Sequence, residues 1–72
     1  MKEIYADFND IAADKTLPLT CAGSITSIAN LNEPLVEGEL VWFSDRELRV
    51  KGKVYLRPDG SWEGRSDWQF VR

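Results

Sequence analysis

Arg49, Lys51, Lys53 and Arg57 fall on alternate positions, with Tyr55 filling the one slot between them. On an extended strand such side chains share a face at a spacing of about 6.6 Å. A line of cations like this could follow a phosphate backbone, with Tyr55 as a ring on which a base stacks. The same residues also read as a solvated strand face whose charges pair with Glu47, Glu63 and Asp67 across a hairpin. The chain carries a net charge of −3, and a dedicated nucleic-acid binder is usually basic. The pairing reading is therefore the favoured one, with an anionic partner as the alternative.

Other candidate chemistry is sparse. Asp7, Asn9, Asp10 and Asp14 gather oxygens in one loop, but the spacing, glycine and terminal glutamate of a calcium loop are missing. With no histidine and a single cysteine, Cys21, neither a disulfide within the chain nor a zinc site is expected. Cys21 has no neighbouring base or cation to activate it and alternates with Leu17 and Leu19, which suggests a buried, inert thiol. No serine lies in a nucleophile elbow and no glycine-rich phosphate loop is present. The expectation is a non-enzyme with no metal and no cofactor. Trp62 and Trp68 share one face of a strand and could line a peptide groove, but so small a domain needs its largest apolar groups in the core.

The element that must position the basic row is a hairpin over residues 47–71. Arg57-Pro58-Asp59-Gly60-Ser61 carries the residues of a type I turn closed by a glycine bulge. That loop pairs Leu56 with Trp62, Val54 with Gly64, Val50 with Trp68 and Leu48 with Phe70 on one face. Tyr55 with Glu63, Lys53 with Arg65, Lys51 with Asp67, and Arg49 with Gln69 then occupy the other. A slip of one residue would mix the two sets. Gly52 and Gly64 both fall on the apolar face, where glycine marks a bend or a close approach. A continuous bent strand through Gly52 is preferred to a turn that splits it.

Seventy-two residues make one domain, 1–72, with a marginal core. The charge is uneven. Residues 1–45 hold Lys2 and Lys15 against eight acids, whereas residues 46–72 hold seven bases, Arg72 among them, against four acids. No apolar run is long enough to span a membrane and the first twenty residues lack a signal-peptide core. A soluble, cytoplasmic protein is expected.

Along the chain, Ile4, Ala6 and Phe8 alternate with polar residues and predict a first strand over about residues 3–8. Leu17, Leu19 and Cys21 predict a second, at a sheet edge or with Pro18's side toward solvent, because Pro18 has no N–H for a ladder. Ile25, Ile28 and Ala29 recur at helical spacing behind Ser24, a candidate N-cap, and predict a short helix that lays Ile25, Ile28 and Leu31 on the sheet. Glu37-Gly38 marks a turn. Glu39 to Phe43 is a strand apolar on both faces; either Leu40 and Trp42 or Val41 and Phe43 join the core. The order is ββαβββ: a mainly β fold of five mostly antiparallel strands. Its shape is either a partly closed barrel, resembling SH3-like or OB-like barrels in outline only, or a curved sheet with one helix.

These features favour a small protein-interaction domain with an unidentified protein partner. Weak single-strand nucleic-acid or other anionic-ligand binding through residues 49–57 is the alternative, and self-association a third. The chain is expected to be a monomer or a weak homo-oligomer.

Overall fold

The five strands form one open mixed sheet in the order β1-β3-β4-β5-β2. They are β1 (Glu3–Tyr5), β2 (Thr16–Pro18), β3 (Leu40–Ser44), β4 (Arg49–Leu56) and β5 (Trp62–Arg65), with the single helix α1 (Ala22–Ala29) between β2 and β3. The computed structural model describes residues 1–71; Arg72, one of the bases of the C-terminal half, lies outside them. Only the β1–β3 pairing is parallel. The sheet does not close, so the curved-sheet architecture is the one found. Among the described residues no helix is long and apolar enough to cross a membrane.

The hairpin tip forms as its sequence dictates. Arg57 N–H donates to the Ser61 carbonyl at 2.7 Å and Gly60 N–H to the Arg57 carbonyl at 2.9 Å, with Gly60 at φ +87°. Asp59 Oδ1 accepts from both the backbone N–H and the hydroxyl of Ser61. Beyond it Leu56 faces Trp62, Tyr55 faces Glu63, Val54 faces Gly64 and Lys53 faces Arg65. Residues 12–16 build the same turn a second time. Ala12 N–H donates to the Thr16 carbonyl, Lys15 N–H to the Ala12 carbonyl, and Asp14 Oδ1 accepts from the N–H and hydroxyl of Thr16. Here a lysine, at φ +68°, stands where the other turn has glycine. A side chain in that conformation costs about 1–2 kcal/mol, partly offset by the smaller chain entropy lost than with glycine. Lys15→Gly is thus expected to raise stability by about 0.5–1 kcal/mol, read as a higher urea midpoint with unchanged slope.

One face of the sheet is the core. Ile4, Val41, Phe43, Val50, Val54 and Leu17 point into it, all but fully buried, joined by Ala6 and Leu19; each large side chain contributes about 1.5–3 kcal/mol by leaving water. Val41 and Phe43 are therefore the inward pair of β3, leaving Leu40 46% exposed. The β3–β4 turn sets this parity. Its loop is Arg46-Glu47, and Asp45 Oδ1 accepts from the N–H groups of Glu47 and Leu48 at 2.8 and 2.7 Å. Strand β4 runs unbroken through Gly52. The reason is Phe43, whose ring lies against both Gly52 and Gly64.

Four features depart from the sequence reading. The register holds only to Lys53–Arg65; Val50–Trp68, Leu48–Phe70, Lys51–Asp67 and Arg49–Gln69 do not form, and Arg49 instead bridges Val71. Two extra residues are accommodated beyond Arg65. Ser66 Oγ–H donates to the Lys51 carbonyl and Trp68 takes φ +56°. Trp68 is thereby turned onto Phe43, Phe8 and Phe70, and its indole N–H donates to the Lys15 carbonyl at 3.0 Å. A buried aromatic surface and a satisfied indole outweigh the four lost ladder pairs.

The helix is the second departure. Cys21, not Ser24, is its N-cap, and it is rotated so that Ile25 is 57% exposed while Ser24 is fully buried and Ile28 packs on the core. The rotation is explained by strand β1. Tyr5 N–H donates to Ser27 Oγ and Ser24 Oγ–H donates to the Tyr5 carbonyl, so two helix serines satisfy backbone groups on the outer edge of the sheet. Third, Cys21 is half-buried with Sγ 3.2 Å from Ser24 Oγ, rather than enclosed. Fourth, β1 stops at Tyr5 and Phe8 opens a 3-10 turn capped by Asp7. Strand β2 does lie at the opposite edge, with Pro18 in it.

The carboxylates that cap these turns link folding to pH. Hydroxyl and N–H donation from Thr16 holds Asp14 below its ordinary value, as Ser61 does for Asp59. The N–H groups of Glu47 and Leu48 do so for Asp45, and Lys2, then the Val36 N–H, for Glu39. A carboxyl depressed in the folded state leaves the unfolded chain binding more protons in acid. The stabilisation from these four groups is complete above their ordinary values, 3.8 for aspartate and 4.5 for glutamate, and is lost as the pH falls through the lower folded values. Urea midpoints are expected to be level from about pH 7 to 5 and to drop below about pH 4; a midpoint rising in acid would contradict the assignment.

Candidate binding surface

The outward face of the sheet carries the basic row. Arg49, Lys51, Lys53 and Tyr55 alternate with the buried residues of β4, and pairing with β3 sets Lys51 opposite Trp42 and Lys53 opposite Leu40. On the other side Arg65 lies opposite Lys53 and Glu63 opposite Tyr55. Arg57 is past the end of β4, at the tip, where its Nε is 3.8 Å from Glu63 Oε1. The structure thus keeps four of the five predicted residues in one strand row and adds Trp42, Leu40 and Arg65 from its neighbours. Trp42 and Leu40 were legible as apolar residues only; their outward direction depended on the length of the turn at Asp45.

Both aromatic rings are capped by cations. The Arg49 guanidinium carbon sits 4.1 Å from the Trp42 ring centroid and Lys51 Nζ 5.2 Å from it. Arg65 covers Tyr55 at 4.4 Å. Ring quadrupoles attract such cations, and the alkyl stems cover apolar surface.

The expected pairing of the row with acids is partial. Glu63 takes Arg65 at 2.9 Å as well as Arg57, which raises the Arg65 pKa further, and Glu3 takes Arg49 at 3.5 Å. Asp67 leaves the ladder with the bulge but still borders the depression beside Lys51, and Glu47 sits in the turn. Among the described residues Lys51 and Lys53 have no carboxylate within ion-pair distance. Beside Lys51 is a depression of about 290 Å³ lined by Trp42, Val50, Lys51, Asp67, Gln69 and Val71. It exists because the strand partner expected there, residues 67–69, is displaced.

A second, more apolar groove of about 480 Å³ separates α1 from the hairpin tip, bordered by Ile25, Ile28, Leu19 and Trp62. Its one charged residue is Asp59, whose Oδ1 is already held by Ser61. Of the acidic loop, Asp7 accepts the Asn9 N–H and Asp14 the Thr16 donors, so their oxygens serve as turn caps. No protein-family model, curated protein or solved structure matches the chain.

Proposed function

We propose that this is a non-catalytic binding domain that docks another protein on the outer face of its sheet. The observation that supports it is the combination of two lysines with no carboxylate partner among the described residues, Lys51 and Lys53, with the exposed Leu40 and the half-buried Trp42 directly opposite them. Such a surface offers both an apolar contact and charges for steering and orientation. Nucleic-acid binding through the same row is the second reading. It is disfavoured by the cation caps, because a base can stack on Trp42 or Tyr55 only by displacing Arg49 or Arg65. Pairing of strand edges between copies is disfavoured as well. The Tyr5 backbone is occupied by helix serines, Pro18 has no N–H, and Thr16 N–H and C=O are taken by Asp14 and Ala12.

The distribution of lysines provides the test. Lys51 and Lys53 are on the outer face, Lys2 is tied to Glu39 and Lys15 lies in the β2 turn. Partners captured from the source cells and treated with an amine-reactive cross-linker are expected to join at Lys51 and Lys53. Cross-links confined to Lys2 and Lys15 would move the binding site elsewhere and overturn the reading.

A further inference from the structure

Resting on that reading, we infer that the outer face takes an extended acidic segment of a partner protein, lying along β4 with acidic residues at alternate positions. Three observations carry this. Arg49, Lys51 and Lys53 stand in one row at alternate positions of β4, about 6.6 Å per pair, which is the spacing of alternate side chains in the segment itself. A helix would not match it, since residues four apart drift around the helix axis and the third acid would turn off the row. Arg49 is engaged with Glu3 at a loose 3.5 Å and both side chains are about half exposed, so an incoming carboxylate competes with a weak surface contact. Among the described residues Lys51 and Lys53 meet no carboxylate, and Lys51 lies over the Trp42 ring.

The second observation is the position of the depression. Its apolar wall, Trp42 and Val71, lies beside Lys51 with Asp67 and Gln69 on the polar side, and it would receive one aliphatic side chain of the segment next to a carboxylate on that lysine. The third is charge. The outer cations Arg49, Lys51, Lys53 and Arg65 outnumber the acids that pair with them or border the depression, Glu3, Glu63 and Asp67. A basic segment would meet like charges at Lys51 and Lys53, a cost that discriminates against it.

The test uses the intact protein and two short synthetic peptides of equal composition, one alternating glutamate with leucine and one with its glutamates contiguous. Single-stranded oligothymidylate is the third probe. The alternating peptide is expected to shift the amide resonances of Lys51, Lys53 and Val71 and the Trp42 indole. It should bind about fivefold more tightly than the contiguous peptide and lose about tenfold in the Lys51→Glu/Lys53→Glu variant, as expected for two modest ionic contacts replaced by repulsion. Both lysines are exposed, and Lys51→Gln/Lys53→Gln, with a smaller loss, separates contact from repulsion. Equal binding of the contiguous peptide, tighter binding of the oligonucleotide, or no shifts at all would each overturn the inference. If the peptides fail while natural partners still cross-link at Lys51 and Lys53, only the acidic-segment inference falls; if both fail, the proposed function falls with it.

Discussion

Gly52→Ala is expected to remove about 3 kcal/mol from a total that for a domain of this size is about 4–11 kcal/mol. A Cβ at Gly52 would lie 2.5 Å from the Arg65 carbonyl oxygen, 2.7 Å from the Phe43 ring and 3.0 Å from Ser66 Cβ. The ring could shift, but the carbonyl belongs to the strand facing Gly52, so the methyl must push β4 and β5 apart. Gly64→Ala differs in kind. Its nearest three neighbours are all ring atoms of Phe43, at 2.5 to 3.0 Å, so the cost depends on one side chain and is expected at about 1–3 kcal/mol. Urea unfolding of the two variants checks the ranking; a Gly52→Ala midpoint equal to that of the parent protein would show that the strands are not held this close.

Phe43→Ala carries the other large effect, about 3–5 kcal/mol, which brings a marginal domain close to unfolding. The ring is wholly buried and joins the two glycines to Trp68, 6.0 Å away between centroids. Its loss empties the centre of the core and removes the surface on which the 66–70 bulge rests. A double-mutant cycle resolves the arrangement. With Phe43 replaced by alanine, a further Gly64→Ala should cost little, because the atoms it struck are gone, while Gly52→Ala should remain costly because the Arg65 carbonyl is still there. Additive effects at Phe43 and Gly64 would contradict direct contact. Trp68 fluorescence in the folded Phe43→Leu variant offers a check that does not require the most damaged protein to fold.

The parts legible in the sequence are those governed by local rules. Pro58, Asp59 and Gly60 state a turn, that turn states the register as far as Arg65, and Pro18 states an edge. The glycines at 52 and 64 announced a bend or a close approach, and of the two the contacts show the close approach; Phe43 as the approaching group depended on the parity of β3. What was hidden depended on contacts distant in sequence. The bulge after Arg65 is favoured by Phe8, Phe43 and the Lys15 carbonyl, none of which a hairpin pattern includes. The helix turned away from its apolar spacing because Ser24 and Ser27 meet the backbone of Tyr5. One missed signal was in plain view: Asp14-Lys15-Thr16 repeats the Asp59-Gly60-Ser61 pattern, masked by a lysine in the left-handed position.

The candidate surface was half readable for the same reason. The row from Arg49 to Tyr55 follows from strand alternation alone, whereas Trp42, Leu40 and Arg65 join it through pairings set by two separate turns. The expected Lys51–Asp67 pair does not form because the bulge shifts Asp67 out of register, so the same local rearrangement that completes the core leaves Lys51 without an ion pair among the described residues.

The inner face holds the fold and the outer face is the proposed partner surface; Lys51→Glu/Lys53→Glu tests that separation most directly. Thermal unfolding and partner capture measured on the same preparation should give an unfolding temperature within about 2 °C of the parent protein together with loss of the cross-linked partner. Capture that survives the charge reversal, or a loss of capture that comes with a collapse in stability, would contradict it.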